Sequence, residues 1–508
     1  MLGGFSFSPR LESLAKKLSL LYPPRNRRAA LYPRILIISV LPLLLASCAR
    51  DALDPFALAP STPFSSWTPM KGSRMVSSKF CETLLPPSFQ EGEMNLAELI
   101  DIGLQNNPTT KQTWANARIA SAQYGQSLSS FYPNVQFTSQ YTRQRGEFIQ
   151  GGSLPPIPYL TTTAGPDCTL TYTLFDFGQR TSQSIAAREA LYAADWTHNQ
   201  QIQAVIQLVM NDYYSYIYQI KVQRSMEANL ENAKASLDAA NQRFALGLAA
   251  LGDVAQARTQ YLQSKINLTT QRQTVENAFA ALATDLGLPA NVGFKVHAMP
   301  EEIESAPCLE SVDALVALAQ TRRPDLLAAE ATIRSKELLV KNARRAVYPV
   351  IATNFDVGKY WFDHGRQESR PHWTAELTIS FPIFQGFYYK NGIKKAEANL
   401  EYSRAAFLQT ELSIIQMVTT AHMSVKTSAL NLKDTDEYLQ SAQTQFEISL
   451  SGYKAGVATI LDLLSSQSAL ADARSQKASA QRAWYSALAE IAYATGCLCL
   501  PAEEACSI

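Results

Sequence analysis

The sequence predicts a mainly α protein with a small membrane β part, arranged as a duplicated helix–hairpin–helix repeat. Three observations predict it. Landmark residues recur at a nearly constant spacing, alternating apolar and polar residues appear at the same point of each copy, and two stretches of some 65 residues lack proline. Asn107-Pro108 is matched by Arg323-Pro324, and Tyr132-Pro133 by Tyr348-Pro349, at an offset of 216. Phe175 with Gly178 is echoed by Phe384 with Gly386. Beyond that point the offset is 209: Phe244 and Gly247 match Tyr453 and Gly456, Asp253 matches Asp462, and Gly287 matches Gly496. The difference of 7 residues between the two offsets falls between Tyr-Pro and the Phe/Gly step, so the copies differ in one loop. A period this long excludes short solenoid repeats.

Residues 1–47 read as an export signal. Arg25, Arg27, Arg28 and Arg34 precede an apolar run from Ile35 to Ala46, which is too short to span a bilayer. The run ends in Leu45-Ala46-Ser47-Cys48, which resembles a bacterial lipobox, with cleavage before Cys48 and acylation of that cysteine. An ordinary signal cut after a small residue is the alternative. Residues 48–93, with many Pro and Ser and no clear periodicity, fit a lipid-anchored tether.

The first repeat occupies 94–300 and the second 301–497, leaving a tail at 498–508. In each, a short amphipathic helix (Leu96, Leu99, Ile100 and Leu104 in the first) stops at the Pro of Asn-Asn-Pro or Arg-Arg-Pro. A second helix then runs to Tyr-Pro. Strand signals follow, within hairpins at about 131–178 and about 348–386. Thr169 to Leu174 and Trp373 to Phe381 alternate strictly, the pattern of a strand with one face in apolar surroundings and one in water. The joining loops include Gly151 to Pro156 and the polar stretch Asp363 to Arg370. The proline-free stretches, from about Thr181 to Leu246 and from about Tyr388 to Ala455, would each span roughly 100 Å as helix. Each ends near glycine, where the chain reverses. Helices from Asp253 to Leu286 and from Ile460 to Ala494 return, and with the second helix stacked end to end they would flank the long one.

Four strands cannot close a barrel, since the smallest membrane barrels have eight. Sheet edges left open in lipid cost several kcal/mol per unpaired group. Closure therefore needs several chains, and any symmetric oligomer with at least eight strands serves.

Composition narrows the function classes. Removing residues 1–47 changes the balance from 45 basic and 44 acidic side chains to 38 and 43, a net charge of −5, which gives no footprint for nucleic acid. The five histidines (198, 297, 364, 372 and 422) are scattered, and the chain has no His-Glu-x-x-His, phosphate-binding glycine loop or Gly-x-Ser-x-Gly. No catalytic residue is expected. Seven cysteines stand at 48, 81, 168, 308, 497, 499 and 506. Cys497-Leu-Cys499 with Cys506 lacks a nearby histidine and reads as disulfides or free thiols, so no metal is expected. The covalent lipid on Cys48 is the one non-protein group anticipated.

These motifs, twice and in order, resemble the TolC-type outer-membrane factors, specifically the lipid-anchored branch found with efflux pumps. The resemblance covers about Asn95 to Gly496. It implies a homotrimer with a twelve-stranded β-barrel in the outer membrane, continued by a long α-helical barrel through the periplasm. It further implies a periplasmic adaptor and an inner-membrane transporter as partners. The protein would then passively conduct drugs, toxic compounds or metal ions to the exterior. Within the resemblance, Gly456 to Ser465 is similar to the gating segment, and Asp462 matches an acidic position whose symmetric ring narrows the pore. Ala458 stands where the best-known member has an arginine, and Ser465 where it has a second aspartate, so a single ring is expected. Asp462 as a simple helix cap is the competing reading. Gly247, Asp253 and Gly456 mark the turns that would dock the adaptor, with Arg243 and Lys454 beside them as docking groups or ordinary solvated charges. A type I protein secretion channel and a non-conducting coiled-coil lipoprotein are the rival functions.

Overall fold

Proline and side-chain caps set the boundaries of each copy. After a two-residue strand β1 (Glu93–Met94), helix α1 (Leu96–Asn106) begins at Asn95, whose side chain accepts the Glu98 N–H while Glu98 accepts the Asn95 N–H. It stops at Asn107, because the following proline disfavours helical backbone there. Helix α2 (Pro108–Leu128) then starts with proline at its first position, where the missing N–H costs nothing, and Asn107 accepts the Thr109 N–H at 2.8 Å. Strand β2 (Asn134–Phe148) begins at the residue after Tyr132-Pro133 and pairs with β3 (Ile157–Phe175). Helix α3 (Gln179–Ala245) runs for 67 residues, about 100 Å at helical rise, and α4 (Leu251–Asp285) returns.

The second copy repeats this order. Strand β4 (Lys295–Val296) leads to α5 (Val312–Arg322), α6 (Pro324–Arg345), β5 (Val350–Asp363) and β6 (Gln367–Ser380). Then come α7 (Tyr388–Ala455, 68 residues) and α8 (Ile460–Ala494). The computed structural model describes residues 59–60, 62–67, 93–148, 157–297, 311–363 and 367–498. The expectations for the signal, Cys48, most of the tether and the tail after 498 lie outside the described residues, as does the first hairpin loop. No helix among the described residues is long and apolar enough to cross a membrane.

Three differences from the sequence reading have local causes. The second hairpin loop is shorter than expected, because β5 continues to Asp363 and β6 resumes at Gln367. The parallel pair β1–β4 was not foreseen, two residues being too few to show a period. Most telling is the step from strand to long helix. It uses two successive left-handed residues in both copies: Phe177 (φ 53°) and Gly178 (φ 82°), then Gly386 (φ 56°) and Phe387 (φ 66°). Gly178 therefore corresponds to Phe387 rather than to Gly386, and the two copies carry glycine and phenylalanine in opposite order. A bulky residue in that conformation costs on the order of 1–3 kcal/mol, so one strained site is kept in each copy and its position exchanged.

Packing follows the end-to-end arrangement. Helix α3 lies against α2 and α6 in the half nearer the strands, through bonds such as Ser335 Oγ to the Ala186 carbonyl. In the far half it lies against α4 and α8, through Gln271 to Gln219 and Ser236 to Gln467. The junction between α2 and α4 is held by the Asn107 side chain, which donates to the Asp285 carbonyl at 2.9 Å. The matching junction between α6 and α8 uses Arg323, which donates to the Ala494 carbonyl at 3.2 Å and pairs with Asp325 at 2.6 Å. Asp285 and Ala494 are themselves 209 residues apart. Gly287 (φ 74°) passes so close to the Asn106 backbone that a Cβ would sit 2.6 Å from it. Apolar clusters surround the two junctions (Leu99, Val209, Leu282 and Leu286; Leu315, Val418, Trp484 and Ile491), and a third fills the far end. Full burial of each such leucine contributes roughly 1.5–3 kcal/mol.

Candidate conduit: an amphipathic sheet and a two-turn tip

The four long strands form one antiparallel sheet in the order β2-β3-β5-β6. Because residues directly opposite share a face, the register sorts the side chains into two sets. Thr138, Asp167, Gly358 and His372 are in line, and so are Gln136, Thr169, Asp356 and Thr374. One position along, Phe137, Cys168, Val357 and Trp373 are in line on the other face, followed by Val135, Leu170, Phe355 and Ala375. The apolar face is bare: Phe137 is 70% exposed, Trp373 72% and Leu377 65%. Bare apolar surface this contiguous belongs against lipid or another chain. Strands β2 and β6 are the edges of this sheet. His372 lies within β6 on the polar face, and His364 lies outside the described residues.

At the opposite end, about 100 Å away along α3, the chain reverses twice. In the first turn Gly247 (φ 73°) lets the Leu248 N–H reach back to the Arg243 carbonyl at 2.8 Å, and Asp253 sits in the first turn of α4. In the second turn Gly456 (φ 85°) ends α7, and the Val457 N–H bonds the Gly452 carbonyl at 2.9 Å. Thr459 caps α8: its hydroxyl accepts the Asp462 N–H at 3.2 Å, while Asp462 accepts the Thr459 N–H and hydroxyl at 3.0 and 2.7 Å. These bonds hold the exposed Asp462 carboxyl below its usual range. Asp462 thus takes part in the cap of its own helix, and its side chain is exposed.

Sequence reasoning missed the link between the turns. Arg243 of the first donates to the Tyr453 carbonyl of the second and to the Leu248 carbonyl at 3.3 Å, and its guanidinium lies 4.8 Å from the centre of the Tyr453 ring. A cation at helix C-terminal carbonyls is favourable. Tyr453 is buried, and its phenol pKa is raised, first by burial and then by Asp253, against the opposing charge of Arg243. Lys454, by contrast, is exposed. The two turns also expose Leu246, Leu248, Leu251, Val457 and Leu461.

Residues 59–60 and 62–67 pack on the strand-proximal helices, the Pro60 carbonyl accepting from the Trp114 indole at 2.8 Å. Trp67 exchanges two 2.6 Å backbone bonds with the Asn199 amide, and its ring lies against Tyr192 and Trp196. Nearby, burial pushes the Asp195 carboxyl up to about 8 and the His198 imidazole down to about 4, so both are neutral near pH 7. Among the described residues Cys168 and Cys497 are free thiols.

A four-stranded sheet with one apolar and one polar face, continued by helices of 67 and 68 residues that turn back at a tip, is the arrangement of an outer-membrane duct. The chain belongs to the outer membrane efflux protein family, whose profile matches residues 99–288 and 315–497. It is 24% identical over 413 residues to the outer membrane protein TolC of Salmonella enteritidis, covering 80% of this chain and 82% of that one. It is also 24% identical over 456 residues to the pyoverdine export outer membrane protein OpmQ of Pseudomonas putida, covering 88% and 94%. Among solved structures its fold is similar to the outer membrane protein VceC of Vibrio cholerae (TM-score 0.71, 20% identity, 79% and 96% covered). It is likewise similar to the channel CusC (TM-score 0.70, 18% identity, 86% and 98% covered).

Proposed function

We propose that three copies of this chain close their sheets into one twelve-stranded barrel and form the exit duct of a tripartite efflux system. The observation that carries this reading is the sheet itself: four strands with an apolar outer face, edges at β2 and β6, and too few strands to close alone. Edge-to-edge pairing of β6 with β2 of the next copy satisfies both edges and turns the polar face inward. The long helices then continue the tube, and energy comes from an inner-membrane transporter.

The tip is where an adaptor docks, through the turns at Gly247, Asp253 and Gly456. Five exposed apolar side chains there support this, since an isolated tip would have no use for them. Asp462 narrows the pore as one carboxylate per copy, in addition to capping α8. Small-molecule cargo is favoured by relatives named for pyoverdine export and toluene efflux. Acylation at Cys48 anchors the N-terminus in the same membrane.

The test is the oligomeric mass of the full chain in detergent together with its conductance in planar bilayers, for wild type and Asp462→Ala. Trimers with a small conductance that grows in the variant are expected. Pores indifferent to the substitution would remove Asp462 from the constriction. A folded, inserted monomer carrying no current would overturn the duct.

A further inference from the structure

On the polar face of the sheet, three side chains from three strands converge. His372 Nε2 of β6 lies 2.9 Å from Asp356 Oδ2 of β5 and 3.4 Å from Asp167 Oδ1 of β3. One donor atom from each residue falls within 4.8 Å of the other two. The convergence depends on Gly358, opposite both Asp167 and His372, where a Cβ would lie 2.5 Å from Asp167 Oδ1 and 2.5 Å from His372 Cε1. The imidazole is stacked on Tyr360 at 4.5 Å with planes 11° apart, which fixes its orientation. Thr169 places its hydroxyl 3.2 Å from Asp356 Oδ1 and 3.3 Å from Asp167 Oδ2. Asp167 Oδ1 is buried and, although at ion-pair distance from the imidazole, accepts no hydrogen bond among the described residues.

We propose that Asp167, Asp356 and His372 bind one divalent first-row transition-metal ion per chain. Ligands held about 2.0–2.2 Å from a tetrahedral metal lie roughly 3.3–3.6 Å from each other, and octahedral ligands roughly 2.8–3.1 Å. The 3.4 Å separation falls in the first range, the 2.9 Å His372–Asp356 hydrogen bond in the second, and all three donor atoms lie within 4.8 Å, so small side-chain shifts would bring them to one ion. Two carboxylates balance the ion's charge, and the imidazole selects zinc-like metals over calcium or magnesium, which take oxygen ligands. Water completes the coordination from the polar side. Thr169 and Tyr360 are positioning residues. The ion bridges β3 of the first hairpin to β5 and β6 of the second, across the seam between the two repeats. The site lies within one chain and needs neither trimer nor transport, so binding and conductance can fail separately.

The test uses chelator-stripped, tag-free full chain in detergent, titrated with Zn²⁺, and the X-ray absorption of the loaded wild type. One ion per chain is expected, with one imidazole nitrogen and oxygen ligands at about 2.0–2.2 Å. His372→Asn should weaken binding by more than the about 10–100-fold typical of losing a hydrogen bond to a ligand, and Thr169→Val, which removes such bonds to both carboxylates, should fall within that range. Substoichiometric uptake, a zinc shell without imidazole, or unchanged binding in folded His372→Asn would each overturn the proposal. The absorption spectrum decides the matter on wild type alone if the variant fails to fold.

Discussion

The first tip closes α3 onto α4 through Gly247 and Ala250, which has no side chain to cap the helix; the second closes α7 onto α8 through Gly456 and Thr459, which caps it. Both place an aspartate at the third position of the returning helix. Asp462 completes a capping box with Thr459, whereas Asp253 lacks a hydroxyl partner and contributes to the field at Tyr453. The two tips share a backbone path and differ in their side chains. The first tip supplies the arginine, and the second receives it. The second tip is thus held twice, by its own cap and by a neighbour.

The largest break in this comparison is Tyr453→Ala. Removing a buried ring from the tip cluster with Phe446 and Leu463 should cost about 3–5 kcal/mol, seen as lost hydrogen-exchange protection across both turns. Tyr453→Phe should change little, since the buried hydroxyl has no hydrogen-bond partner among the described residues. Equal losses in both variants would mean that the hydroxyl, and not the ring, holds the tips together.

Arg243→Ala comes next. Loss of its charged hydrogen bonds should cost about 1.5–3 kcal/mol and loosen both turns, and lysine should not rescue it because the fork and the stacked plane are lost. Full rescue by Arg243→Lys would show that charge alone suffices. Thr459→Ala should cost about 0.5–2 kcal/mol and, unlike the arginine change, be confined to the second turn. The same box is sensitive to acid. A carboxyl held below its ordinary 3.8 in the folded state adds stability that is present above that value and lost as pH falls through the lower folded one. Exchange in the first turn of α8 should therefore rise below about pH 4 in wild type, and that rise should disappear in Asp462→Asn. The smallest effect sharpens the contrast: Ala250→Ser, which gives Asp253 a partner for a box of its own, should slow exchange at the first turn by a fraction of the Thr459 effect.

The helices, their stops and the chain reversals were legible in the sequence because their signals are local. Pro108 and Pro324 begin helices, Tyr132-Pro133 and Tyr348-Pro349 precede strands, and Gly247 and Gly456 end the long helices within a residue or two of the expected places. The exchange of glycine and phenylalanine at Gly178 and Phe387 was not legible, since phenylalanine carries no sign of left-handed backbone. Nor was Arg323 as the counterpart of Asn107: the two share a place and a task but no chemistry. Arg243 looked like any charge near a helix end.

By itself the sequence determined the order of elements, run through twice, two faces on four strands, and two helices of some 65 residues, because alternation, proline and glycine act within a few residues of themselves. Tertiary structure alone decided which side chains meet: Arg243 with Tyr453, Arg323 with Ala494, and His372 with Asp356 and Asp167. Those pairings depend on strand register and helix stacking. A shift of one residue in register would send every side chain of a strand to the opposite face, and only the summed packing of many elements selects among such shifts.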